Sequence, residues 1–468
     1  MLKYLLNPRL RSFWIFFHLL LGLISVFSPV VLIIWFYFSF LLLLKDIFVS
    51  KKVALKSNLV FIISYLVSFE ILCRMTKTSP YIPYELSKYV LFILLTYGIS
   101  LNKSQFHVGW VMFFLLIPSL FFDLSGSVNN YQYYVFNILG PVNTALGFIF
   151  FSKCNITFQG FEALLFLLLC PVISVLLYAY VKTPDYSDIQ FNLGANFETS
   201  GGFGSNQVST VLGLGMFIVF VFWFCKWNLS GYKIFDLFLF FGFVFQGLIT
   251  FSRGGIISAI LAILFFVLIN SIYKKSNKNK TLNLFNLGNV LVILSFILFA
   301  FIVANGLSKG NLFLRYKGET EGTLNGYKVQ TLNNISSNRF NIFIGDFNLW
   351  MKHPLLGVGI GASQSLRDEV NGIIAHVELS RLLAEHGFLG LMFFTFLLII
   401  PYKSIKKENN SLVKALKYSF YFIALFTTFH ASMRTYVSPL LLGLSLISIS
   451  VFSFKPSQNS ISNTKINH

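Results

Sequence analysis

Charge is scarce in this chain, and acidic charge scarcer still. Asp, Glu, Lys and Arg together make up 11% of 468 residues, and 17 acidic against 36 basic side chains leave a formal charge of +19. So little charge beside 56% hydrophobic residues excludes both a water-soluble globule and a disordered chain. Cysteine is sparse too: Cys73, Cys154, Cys170 and Cys225 lie in or beside apolar runs without CxxC spacing. That pattern excludes a disulfide framework and a zinc site, and leaves small packing residues. No basic-aromatic soluble module accompanies the positive charge, so nucleic acid is not an expected partner. The sequence also lacks a repeat of fixed period and an inverted pair of Gly/Pro-broken helices, the features that mark many transporters.

What the chain has in abundance is apolar length. Its 57 phenylalanines and mean hydropathy of +0.72 belong to a protein dissolved in a bilayer. Apolar segments fall near 13–28, 29–44, 58–75, 88–101, 106–122, 131–151, 160–182, 207–225, 234–252, 254–273, 286–306, 387–403, 413–432 and 435–453. The expectation is an all-α polytopic transmembrane helical bundle of about 12–14 spans, with the first two segments either a hairpin or one long helix. The basic N-terminus opens an apolar stretch too long for a signal peptide, so it is expected to stay as a membrane anchor. Reading the Lys and Arg residues of the short loops as cytoplasmic puts both termini inside and the two longest polar loops, about 183–206 and 307–386, outside. The expected organisation is membrane helices over 1–306, one large outer loop over 307–386, closing helices over 387–455 and a disordered cytoplasmic tail over 456–468.

The ionisable residues gather in and around the outer loops. "FSRGG", residues 251–255, divides two apolar runs, so it reads as a tight turn with Gly254 and Gly255 supplying backbone freedom. Arg253 there either snorkels to the interface or serves as an anion ligand, since guanidinium matches phosphate oxygens. "AHVELSRLLAEHG", residues 375–387, reads as a helix with Glu378, Arg381 and Glu385 on one face and Gly387 as its break. The bland alternative is a solvated amphipathic helix. His376 opens this segment in the outer polar layer, where an imidazole of near-neutral pKa can accept a proton. "HPLLGVGIG", residues 353–361, is explained by close backbone approach, and His430 with Arg434 forms a pair one helical turn apart at another outer end. Asp346 stands alone and Asp368 is merely adjacent to Glu369, so no divalent-ion cluster is expected.

The pairing of "SRGG" at a span boundary with the later "R…W…HPLLGVGIG…AHVELSRLLAEHGFLG" resembles the bacterial O-antigen ligase and polymerase superfamily of membrane glycosyltransferases, the WaaL and Wzy type, over about 185–405. The resemblance implies a GT-C-like enzyme of the bacterial inner membrane with one large periplasmic loop. It would take an undecaprenyl-diphosphate-linked glycan as donor, among membrane lipids, and transfer it with inversion, without metal or other cofactor. The acceptor would be a glycan for a polysaccharide polymerase, or lipid A core for a ligase, with a chain-length regulator as a candidate partner. It further implies His376 as the functional histidine and Arg253 and Arg339 as functional arginines. On physical grounds His376 would take the acceptor's proton, with Glu378 or Glu385 orienting neighbours, and the arginines would bind the diphosphate. Arg381 and Arg434 join them as candidates because a departing diphosphate needs fixed donors where membrane meets water. A lipid-linked glycan or anion transporter is the alternative of another class. It would favour partnered charges at the bilayer midplane rather than along one surface.

Overall fold

The computed structural model describes residues 1–50, 52–101, 106–126, 131–276, 284–368 and 372–450. The tail from Ser457 on, Lys278, Lys280 and Glu369 lie outside them. The described chain is nearly all helical. Its one sheet is a short parallel pairing of Asn155–Thr157 with Ser448–Ser450.

Among the described residues, nine helices are long and apolar enough to cross a membrane. There are ten if Leu291–Leu307 and Asn311–Lys317, bent by 114°, form one broken span. The count is lower than the number of apolar segments because several segments fold into helices of less than spanning length. Leu86–Ser100 has 15 residues, which at about 1.5 Å per residue falls short of a hydrocarbon layer about 30 Å thick. Val437–Leu444 is only 8 residues long, and all of them are buried. Such helices hold because they pack on other helices: both rest against Tyr131–Phe151.

The first apolar run is two helices, Arg11–Phe27 and Pro29–Val49. Ser28 separates them and caps the second through its hydroxyl on the Val30 amide, with Pro29 at the first helical position. This pair is peripheral. Only 39% and 28% of their spanning windows are buried, against 94% for Ala54–Met75, and Phe13, Phe16, Ile34 and Leu41 face outward.

Without a hydrophobic drive between helices in lipid, close packing depends on small side chains. Ser205–Phe224 crosses Arg253–Ser276 where Gly213 meets Gly255: a Cβ on Gly213 would lie 2.4 Å from the Gly255 carbonyl oxygen. Larger residues at this crossing would part the two helices.

Polar contacts collect at the two ends of the bundle. At one, Arg11 pairs with Glu162 at 2.6 Å and also donates to the Asn228 carbonyl. At the other, the segments 68–85, 117–137, 191–207, 246–255, 305–386 and 430–436 meet, joined by the contacts described next.

Candidate functional site

The Glu378–Lys406 helix is two helices in sequence. Gly387, at φ 59° and ψ −138°, breaks it. The break is built by the glycine run before it. Phe388 N donates to the Pro354 carbonyl at 2.7 Å and Val358 N to the Ala384 carbonyl at 2.8 Å, while a Cβ on Gly357 would lie 2.5 Å from Ala384 O. The 353–361 segment of turns therefore lies directly on the Glu378–His386 turns, and only glycine permits that approach.

On those turns the three charged residues do form one ladder, but it is buried rather than solvated. Arg381 pairs with Glu378 and, at 3.2 Å, with Glu385, and donates to the Asn137 carbonyl at 3.0 Å. The second oxygen of Glu378 accepts from the Ser432 hydroxyl and, at 3.1 Å, from the Met433 amide. Both oxygens of Glu378 are thus spent on holding structure, and the Arg381 guanidinium is spent on carboxylates. A second buried pair lies alongside: Arg367 Nε is 2.9 Å from Asp346, which also accepts from Ser380 at 2.7 Å. Asp346, read from the sequence as solitary, is a partner here, and burial raises the pKa of its carboxyl despite the Arg367 charge.

The turn 431–436 is fixed from two sides. Glu378 holds Ser432 and Met433 from below. From the other side Arg74, salt-bridged to Glu70 at 2.7 Å, donates to the Arg434 carbonyl at 3.2 Å, while Glu70 accepts from the Tyr436 amide at 3.0 Å. Lys88 and Glu85 complete that network at 2.6 Å. Ionic groups taken out of water need such partners, and removing one leaves the others uncompensated.

The turn so fixed presents Arg434 toward His376. The Arg434 guanidinium donates to the carbonyl of Ala375, next to His376 in the chain. Arg434 and Arg339 both act electrostatically on the His376 ring, as does His430. Burial first, and then these cations, push the His376 pKa down to about 3, so the ring is neutral near pH 7. Its Nδ1 is buried and has no hydrogen-bond partner among the described residues. The other histidine of the region is differently placed: His430 has the Phe426 carbonyl at Nδ1, 2.9 Å, and the Thr210 hydroxyl at Nε2, 3.0 Å.

The arginines continue from there. Arg339 has its pKa lowered to about 10, by burial and then by the charge of Arg253, and its Nε is buried without a partner among the described residues. Arg253 donates to the Arg315 carbonyl at 2.9 Å and the Ser337 hydroxyl at 3.2 Å, and Arg315 donates to the same hydroxyl at 3.1 Å. Arg434, buried and near Arg381, also has its pKa lowered to about 10. Both Arg339 and Arg434 remain cationic at neutral pH. "SRGG" is organised differently from the sequence expectation. Phe251, at φ 57°, makes the turn, and the glycines are helical, with a Cβ on Gly254 coming within 2.4 Å of the His430 ring. They let the His430 ring pack against the start of the Arg253–Ser276 helix.

Of the six residues singled out in the sequence, the structure gathers His376, Arg253, Arg339 and Arg434 around one cationic face, with Glu378 and Arg381 beneath it in the supporting ladder. Arg315 is a member that sequence reading missed, since "NLFLRYKG" carries no signature. Arg74 was missed although Glu70 stands four residues before it, a spacing at which helical ion pairs form.

Several guanidinium groups and a neutral imidazole, collected on a multi-spanning helical membrane protein, can meet an anion and take up a proton. Residues 237–395, about a third of the chain, match the sequence model of the Wzy_C family, described as O-antigen ligase, so this multi-pass membrane enzyme carries a Wzy_C O-antigen ligase domain over that stretch. The matched stretch contains Arg253, Arg315, Arg339, His376, Glu378 and Arg381. No curated protein matches the chain.

Proposed function

We propose that this enzyme transfers a glycan from an undecaprenyl-diphosphate-linked donor to a sugar hydroxyl at the periplasmic face, as a polymerase of surface polysaccharide. The family supports glycan transfer of the ligase or polymerase type on lipid-linked substrates. The observation that carries the site assignment is the pair of buried, unpartnered nitrogens, His376 Nδ1 and Arg339 Nε, among several cations. In this reading the acceptor hydroxyl attacks the anomeric carbon and gives its proton to His376. The bond from that carbon to the phosphate oxygen breaks, its electron pair leaving with the diphosphate. Arg253, Arg339 and Arg434 bind the charge that develops there, in a setting where fixed donors count for more than in water. Arg315 joins them through the hydroxyl it shares with Arg253. Glu378 and Arg381 act as positioning residues, fixing the turn that carries Arg434.

The donor matters to the base as well as to the leaving group. Burial is the larger cause of the low His376 pKa, and a dianionic diphosphate among the arginines offsets the smaller, cationic part, raising the basicity of the ring when the donor is bound. The test is glycan length on a gel for cells carrying His376→Ala or Arg253→Ala at matched protein levels. Loss of banding is expected; unchanged banding ends the reading.

Transfer to lipid A core is the second reading, favoured by the description of the matched family as a ligase. The span count does not argue for polymerase, because nine to ten helices of spanning length replace the fourteen apolar segments. A deletion strain separates the two: single repeats on the core mark a lost polymerase, accumulated lipid-linked polymer a lost ligase.

A further inference from the structure

A cavity of about 480 Å³ borders the arginine cluster on its Arg315 side, walled by residues 192–194, 315, 320–322, 328, 334 and 337–338. Its volume lies within the roughly 300–1,000 Å³ of small-molecule sites, but its lining is unlike the apolar lining those sites usually have. Leu193 is the one apolar side chain in it. Asn192, Asn334, Glu321 and Lys328 supply amide, carboxylate and ammonium groups, and Ser337 a hydroxyl. We propose that this cavity holds a sugar of the donor glycan close to the diphosphate, an inference that rests on the function proposed above.

Sugar hydroxyls both donate and accept, and a carboxamide does the same from two adjacent atoms. A lining of amides and hydroxyls with one carboxylate and two cations therefore matches a polyol. It suits a second phosphate less well, because Glu321 faces the same space as Arg315 and Lys328 and offsets part of their charge. Position argues for the same ligand. Arg315 and Ser337 line the cavity and also bond Arg253, so a group filling it is a direct neighbour of whatever Arg253 binds. The first sugar of a lipid-linked glycan is joined to the phosphate by a single oxygen and has to lie next to it. None of the cavity's walls comes from the His376 turn or from 431–436, where the acceptor hydroxyl must be, which assigns the cavity to the donor.

Glu321 and Lys328 are exposed, so Glu321→Gln and Lys328→Ala remove recognition groups without opening the core. The full-length protein in nanodiscs is titrated with two probes: undecaprenyl diphosphate, and lipid-linked glycan extracted from the source cells. For the double variant, binding of the glycan-bearing lipid is expected to weaken about tenfold, as for loss of charged hydrogen bonds, with undecaprenyl diphosphate binding unchanged. Unchanged binding of both overturns the proposal. Equal weakening of both overturns it too, by making the cavity part of the diphosphate site, and so does a raised KM for acceptor alone. Arg339→Ala is the separate control on the underlying reading. If it leaves undecaprenyl diphosphate binding intact, the diphosphate assignment fails while a glycan-selective loss in the double variant still stands.

Discussion

Seven of the nine arginines of this protein fall into two groups. Arg11, Arg74, Arg367 and Arg381 each have a carboxylate partner, whereas Arg315, Arg339 and Arg434 form no ion pair among the described residues. Both groups are largely withdrawn from water, where an uncompensated charge is expensive. The paired group meets that cost with its own acids and holds the bundle end together. The other group bonds to neutral oxygens at most, such as Ser337 Oγ for Arg315 and the Ala375 carbonyl for Arg434. A chain with only 17 acidic residues places several of them under the site and, among the described residues, none in ion pairs with Arg315, Arg339 or Arg434. The difference teaches where structure ends and binding begins.

Breaking each group in turn should give opposite signatures. The largest effect is expected from Arg381→Ala, which leaves Glu378 and Glu385 buried without their counter-charge. Breaking such a pair costs about 3–5 kcal/mol, read as loss of folded, monodisperse protein and a lowered unfolding midpoint. A normal midpoint would dissolve the distinction. Next come Arg339→Ala and His376→Ala, for which transfer should fall by roughly 100- to 1,000-fold. Their unfolding midpoints should hold or rise, measured on the same preparations.

The pH response sharpens the contrast. His376 has its pKa lowered to about 3, so in the free enzyme it stays neutral on acidification, and kcat/KM should be flat from pH 8 to 5. An acid limb near the ordinary 6.5 would show an unshielded imidazole instead. Stability moves the other way. The unfolded chain protonates this histidine below about 6.5 while the folded one does not, so its contribution to stability falls as pH drops through that value. The smallest effect belongs to Arg339→Lys, which keeps charge but loses the planar fork, for about a tenfold drop in transfer.

Much of this was legible beforehand. Hydropathy gave the helical membrane class, and Gly387 was visible as the break before a span. The turn at Phe251 was not, because a non-glycine residue at positive φ carries no local mark, and the adjacent glycines drew attention to themselves. Burial of the Glu378–Arg381–Glu385 ladder was equally hidden. Its spacing is the same in a solvated helix, and the groups that cover it, the 353–361 segment, Asn137 and the Ser432–Met433 turn, lie elsewhere in the sequence. The arginine cluster was half visible: Arg253 and Arg339 stand in recognisable motifs, whereas Arg315 reaches the site through the 114° bend after Leu307.

The concentration of like charge at one rim has a consequence for the life of the molecule. With no donor aboard, the guanidinium groups repel one another, and an anion binding among them relieves that repulsion and adds its own binding free energy to folding. Supply of substrate then governs persistence: in cells starved of lipid-linked glycan, a pulse-chase should show this enzyme turned over faster than in cells making it freely, and the gap should close for Arg339→Ala.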